Sequence, residues 1–128
     1  MSGLPCGGVV VLVEDDDDTR ELLATVLRRQ GYEVAMAQDG VEAMDLLSRP
    51  EPVCFVLVDL FMPRMDGFAV LRAMKSDAKF AALPVCVSTS APDLAPVGVA
   101  CLPKPIDLSC LFAMIERHCA VQKPVLTP

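Results

Sequence analysis

No stretch of this chain stays apolar for anything near the roughly 18 residues that a membrane-spanning helix needs, although 53% of its 128 residues are hydrophobic. The opening Met1-Ser2-Gly3-Leu4-Pro5-Cys6-Gly7-Gly8 also lacks the basic start and long apolar stretch of a secretory signal. A soluble cytoplasmic protein is expected, with no export and no membrane insertion. There is no Cys-x-x-Cys pair, and the single histidine, His118, has no evident ligand partners, so no zinc motif is present. Six cysteines are an even number. Cys54 and Cys86, however, fall in predicted buried strands, and Cys110 and Cys119 fall on a predicted helix. Reduced, structural thiols are therefore expected rather than disulfides, with Cys6 at most reactive in a flexible segment. Basic residues are few and scattered: 11 Lys and Arg stand against 17 Asp and Glu, for a net charge of −6, and Arg28-Arg29 is the only adjacent basic pair. That balance excludes a generic binder of nucleic-acid backbone, which needs clustered cations, so no direct nucleic-acid contact is expected. Repeats, low-complexity tracts and an interdomain linker are all missing. One domain is expected, with a core over about residues 8 to 119, short flexible tails and no attached effector domain.

What is present is an alternation of strand-like and helix-like segments. Val9 to Val13 and Val53 to Val58 are apolar without polar alternation, the pattern of strands covered on both faces in a parallel sheet. Glu33 to Ala37, Val85 to Ser88 and Val99 to Leu102 read as three more strands. Between them, Leu22, Leu23, Val26 and Leu27 share a helical face ending before Gly31, with Asp17 or Asp18 as the cap at its start. Ala43, Met44 and Leu47 mark a helix over Gly40 to Ser48. Phe68, Leu71 and Met74 mark another, opened by Asp66-Gly67. Leu108, Leu111, Phe112, Ile115 and Cys119 mark the last, capped by Asp107 or Ser109. Such alternation implies an α/β fold with a doubly wound parallel sheet, right-handed crossovers and helices on both faces.

Two of the buried strands deliver carboxylates to the same edge of that sheet. Val9 to Val13 runs into Glu14-Asp15-Asp16-Asp17-Asp18, and Val53 to Val58 runs into Asp59, followed at once by Leu60-Phe61-Met62-Pro63-Arg64-Met65-Asp66-Gly67. The carboxyl ends of parallel strands are where open α/β sheets bind ligands. Magnesium takes oxygen ligands, commonly one or two carboxylates with phosphate oxygens and water, and would relieve repulsion within such a cluster. An aspartate beside it can take a phosphoryl group as an aspartyl-phosphate. That transfer needs a cation and a donor on the phosphoryl oxygens. Lys104, in Pro103-Lys104-Pro105 just after strand 5, and Thr89, placed just after strand 4, can supply them.

With these residues in view the sequence closely resembles the receiver domain of two-component response regulators, over about residues 8 to 119. The resemblance is carried by Val11-Leu12-Val13-Glu14-Asp15-Asp16 with Thr19-Arg20-Glu21-Leu22-Leu23, by Val58-Asp59 through Asp66-Gly67, and by Lys104-Pro105. It implies a flavodoxin-like five-stranded sheet of order 2-1-3-4-5. By position it makes Asp59 the phosphoacceptor and Glu14 and Asp15 the acidic pair that organises Mg²⁺. The backbone carbonyl of Phe61 would be a further metal ligand, Thr89 the switch hydroxyl and Lys104 the contact to the phosphoryl oxygens. Ser88 and Ser90 flank Thr89, and a slip of one residue would exchange which hydroxyl faces the site. In the family the bond after the lysine is often cis, which proline permits. The implied phosphodonor is a histidine kinase or histidine phosphotransfer protein, and the implied output is docking to a downstream protein, without turnover of a substrate.

Three departures from the family stand out. Residues 90 to 103 are about two helical turns shorter than usual, and Pro92, Pro96 and Gly98 oppose a regular helix there. The fourth helix, between strands 4 and 5, is therefore expected to be shortened or missing, with at most one turn around Asp93 to Ala95. That stretch belongs to the usual output face. Cys101 stands three residues before Lys104, where the family places its switch aromatic, so ring rotation cannot signal as usual; a plain core residue is the simpler reading of it than a redox-sensitive one. Phe61 and Ala91 flank the path of a hydrolytic water without a side chain to orient it, which predicts slow autodephosphorylation. Competing readings are a receiver-like interaction module that acts without phosphorylation, a phosphatase of the haloacid dehalogenase type, and a flavin carrier. The phosphatase wants an aspartate where Phe61 stands. The flavin carrier wants hydroxyls and backbone donors where the loop after Val13 is acidic.

Overall fold

A computed structural model of the chain describes residues 8–122. The expectations for Cys6, for the Cys119 side chain and for both tails fall outside what is described. Five strands, β1 (Val9–Val13), β2 (Glu33–Ala37), β3 (Val53–Asp59), β4 (Val85–Thr89) and β5 (Ala100–Pro103), form one parallel sheet in the order β2-β1-β3-β4-β5. The helices are α1 (Asp17–Arg29), α2 (Gly40–Leu47), α3 (Gly67–Lys75) and α4 (Leu108–Gln122). Between β4 and β5 there is only a 3₁₀ turn, Pro92–Leu94. This is the flavodoxin-like doubly wound order, with the fourth crossover reduced as expected.

Because β1 and β3 are apolar from Val9 to Val13 and from Val53 to Val58, their successive side chains feed two cores. Leu12, Phe55, Leu57 and Cys86 meet Leu23 and Leu27 of α1 and Leu111 and Ile115 of α4 on one face. Val11, Val56, Val58 and Val87 meet Ala43 and Leu47 of α2 and Val70 and Met74 of α3 on the other. His118 joins the first layer, its ring centroid 5.8 Å from that of Phe55, a packing position. Among the described residues Cys54, Cys86, Cys101 and Cys110 are free thiols. Burial pushes the Cys54 thiol up to about 11 and, with the nearby Cys101, the Cys86 thiol up to about 12, as expected of inert structural cysteines.

Several local details differ from the sequence pattern. Asp16, rather than Asp17 or Asp18, caps α1, accepting the Thr19 N–H at 2.8 Å. The helix therefore starts one residue earlier than the acidic run suggests, and its core stripe is Leu23, Ala24 and Leu27. Leu22, one residue before that stripe, is 60% exposed. On α3 the fully buried positions are Val70 and Met74, one step round from Phe68 and Leu71, which lie half-buried at the edge. Thr89 is the last residue of β4 rather than the first after it, and β5 is shifted one residue later than expected. Asp107 caps α4, its Oδ1 accepting the Ser109 and Cys110 N–H groups at 2.9 and 3.2 Å.

Candidate functional site

Strand register assembles the site. Val13 lies opposite Val58, so the next residues, Glu14 and Asp59, leave the sheet side by side. Asp59 lies opposite Ser88, and Thr89 opposite Pro103, which sets Lys104 at the same edge. The Lys104 N–H donates to the Thr89 carbonyl at 2.9 Å, and the Leu60 N–H donates to the Ser88 carbonyl at 3.1 Å. The Lys104-Pro105 peptide bond is cis.

Glu14, Asp15 and Asp59 each offer a carboxylate oxygen within 4.8 Å of the others. Glu14 and Asp59 are buried, whereas Asp15 faces solvent. The Lys104 ammonium reaches both buried acids, 3.0 Å from Glu14 Oε1 and 3.2 Å from Asp59 Oδ2. Glu14 is held from behind: its Oε2 accepts the Asp16 N–H at 3.1 Å, and its carbonyl accepts from Arg20 at 2.8 Å. Arg20 in turn pairs with Asp17. Thr89 is buried, and its hydroxyl oxygen accepts the Ala91 N–H at 3.0 Å, which leaves its own proton to donate. The Phe61 N–H points at Asp59 Oδ1 over a long 3.4 Å, and the Phe61 side chain is 48% exposed.

The electrostatics follow from that packing. Burial, then the neighbouring Glu14 charge, pushes the Asp59 carboxyl up to about 7, against the opposing pull of Lys104. Burial alone would lower Lys104, but its close contact with the Glu14 carboxylate and the charges of Asp59 and Glu14 outweigh it, so its ammonium is held above the usual lysine range. Two acids and one lysine thus leave the cluster short of positive charge. Glu14 Oε1 shows the deficit: it is buried without a well-directed hydrogen bond, although Lys104 lies at ion-pair distance. An oxygen-only donor set with a buried, under-coordinated carboxylate oxygen fits a hard divalent cation such as Mg²⁺. Among the described residues this is the single cluster of metal-ligand type.

Glycine makes the edge close-packed. A Cβ at Gly67 would press on the Asp59 carbonyl and the Leu60 Cα, while the Gly67 N–H donates to the Leu60 carbonyl at 2.9 Å. Only glycine lets α3 start this close behind Asp59.

One feature of the surroundings escaped the sequence reading. Asp39, 3% exposed, caps α2 by accepting the Glu42 N–H at 2.9 Å and receives Arg64 Nε at 2.7 Å. Arg64 lies in the β3–α3 loop at φ 67°, a left-handed conformation. The Gly40 N–H donates to the Met65 carbonyl at 2.9 Å beside it. The Glu42 N–H, and then Arg64, hold the Asp39 carboxyl below the usual carboxylate range despite burial. The loop that follows Asp59 is therefore stitched to the loop before α2. The sequence signal was half visible, since Asp39-Gly40 before a helical pattern reads as a cap. Nothing in the sequence joins it to a residue 25 positions away.

Comparison with known proteins places this geometry in a family. The response regulator receiver domain matches residues 10–116, and the chain belongs to that family, the signalling domains of two-component response regulators. It is 36% identical to response regulator MprA of Mycobacterium leprae (strain TN) over 122 residues, covering 90% of this chain and 52% of that protein. To response regulator MprA of Mycobacterium sp. (strain KMS) it is 43% identical over 81 residues, 63% of this chain and 34% of that one. The chain thus spans about a third to a half of the length of these curated relatives. Among solved structures, the receiver domain of the hybrid histidine kinase CckA superposes with a TM-score of 0.75 at 32% identity, covering 88% of this chain and 99% of that one. The bacteriophytochrome response regulator AtBRR gives 0.77 at 32%, over 94% and 98%. No helix among the described residues is long and apolar enough to cross a membrane.

Proposed function

We propose that this chain is a Mg²⁺-dependent phosphoacceptor switch whose phosphorylated residue is Asp59. It receives its phosphoryl group from a phosphohistidine of a kinase or phosphotransfer protein in the cytoplasm, and it signals by docking to another protein. The observation that carries this reading is the triad of carboxylates within 4.8 Å, with Lys104 bridging Glu14 and Asp59 at 3.0 and 3.2 Å.

Glu14, Asp15 and Asp59 would hold the cation, with the Phe61 carbonyl as a further ligand. When bound, Mg²⁺ would neutralise charge on the transferring phosphoryl oxygens. Asp59 acts as nucleophile in its ionised form. Its oxygen bonds to phosphorus as the bond from phosphorus to the donor imidazole nitrogen breaks, with the electron pair staying on nitrogen. Lys104 already spans the two acids, so a small move of its ammonium exchanges a carboxylate partner for a phosphoryl oxygen. Thr89, with its proton free to donate, answers the new dianion. Arg20 and Asp16 keep Glu14 in place during the exchange. The protein assists its own modification and turns over no other substrate. Neither Phe61 nor Ala91 presents a polar side chain to orient water, so the aspartyl-phosphate is long-lived.

Incubation with Mg²⁺ and acetyl phosphate, read by intact mass, tests this. The expected result is one phosphoryl adduct on the wild type, decaying over hours, and none on Asp59→Asn. An adduct that persists in Asp59→Asn, or its absence from the wild type, contradicts the assignment.

A further inference from the structure

Three of the four crossovers carry helices of 13, 8 and 9 residues, while the fourth carries a turn of 3. Right-handed crossing from β4 to β5 assigns the missing helix to the face of α2 and α3, beside α3. The uncovered strip is a groove of about 570 Å³ between α3 and residues 96–99. Phe68 and Leu71 of α3 form one wall, Val97 and Val99 the other, and Val85 of β4 lies between. Val85 and Val99 stay partly buried, and Val97 is fully exposed. The apolar surface therefore matches in kind and place what a helix would cover.

The charges at the groove select the occupant. Arg72 and Lys75 line it, and no carboxylate does. Neither cation forms an ion pair among the described residues. Lys79 lies over the ring of Phe80, another lining residue, at 5.4 Å. Asp77 and Asp93 stand in the adjoining turns, but neither lines the groove. A chain of net charge −6 thus keeps a basic rim at the layer that its described residues leave unfilled. A second copy is a poor occupant, because its exposed large apolar residues outside this region, Leu22 on α1, Val41 on α2 and Phe61 in the loop after β3, stand on three different elements and form no helical stripe.

We propose that the groove binds an amphipathic helix of a partner protein, which lays an apolar stripe against Phe68, Leu71 and Val97 and faces Arg72 and Lys75 with carboxylates. The helix completes the sheet layer that this chain leaves open. The site stands on the groove alone and does not require Asp59 to be phosphorylated. It also adjoins the loop after Asp59, because Phe68 meets Phe61 edge-on at 5.9 Å.

The test is an amide NMR titration of the full, unphosphorylated chain with two stapled helical peptides of about 16 residues. Both share a leucine stripe; one is flanked by glutamates and the other by lysines. The glutamate peptide should shift amides of residues 68–75 and 97–99 saturably, and bind about fivefold more tightly than the lysine peptide. Arg72→Glu with Lys75→Glu, both at exposed positions, should reverse that preference. The proposal is overturned if the glutamate peptide gives no saturable shift up to about 1 mM, if its shifts map elsewhere, or if the double variant keeps the original preference. Shifts of the same amides on raising protein concentration without peptide would assign the groove to a second copy and overturn it equally.

Discussion

The two ends of α3 are built on opposite terms. At its start Gly67 is wedged against Asp59, polar groups are buried, and Arg64, Asp39, Gly40 and Met65 lock two loops together. At its end Arg72 and Lys75 face a groove that no element among the described residues fills, and the segment across from them exposes Leu94 at 55% and Val97 fully. The first end is close-packed and charge-dense, where small changes propagate. The second is open, where substitutions have room. A phosphorylation switch needs the former at its chemistry, and adaptable recognition is served by the latter.

The comparison breaks most visibly at Gly67. Gly67→Ala places a methyl group on the Asp59 backbone, and overpacking there should destabilise the protein by about 3 kcal/mol, measured by urea unfolding. An unchanged midpoint would mean that the edge is softer than described. Next comes Asp39→Ala, which removes the cap of α2 and leaves Arg64 unpaired; a loss of about 2 kcal/mol is expected in the same assay.

A third effect depends on pH. The Asp59 carboxyl is raised to about 7 in the metal-free fold, above the 3.8 of an unperturbed aspartate. Across that window the folded state holds more protons than the unfolded state, so stability falls as pH rises from about 4 to about 7 and is level above. The fall should be about 2 kcal/mol, roughly half of what the unscreened shift implies. Asp59→Asn should flatten that slope, and urea midpoints between pH 4 and 8 without Mg²⁺ would reveal it. The smallest effect belongs to the open end: Leu94→Ser should change stability by less than about 0.5 kcal/mol.

The same contrast governs what could be read from the sequence. Glu14 and Asp59 were legible because each terminates a strand with no polar alternation, and a carboxylate there has few structural uses. Lys104 was legible from its place after β5. The shortened fourth crossover was legible because Pro92, Pro96 and Gly98 deny a helix locally. What depended on rotation about an axis was not legible. The acidic run offers several equivalent caps, and only the true start of α1 selects Asp16 and turns Leu22 outward. On α3, Phe68 and Leu71 carry a strong apolar signal, yet they sit at the edge because the β4–β5 crossover beside them carries only a turn. The Asp39–Arg64 pair was invisible because it is made by loops brought together only by the order of the sheet.

The most direct test of the central claim is an amide NMR spectrum with and without beryllofluoride and Mg²⁺, a stable stand-in for the phosphoryl group on Asp59. Large shifts should appear at Glu14, Asp15, Phe61, Thr89 and Lys104 and be lost in Asp59→Asn. Spectra that do not change, or that change equally in the Asp59→Asn variant, would contradict the claim that these residues form one phosphoacceptor site.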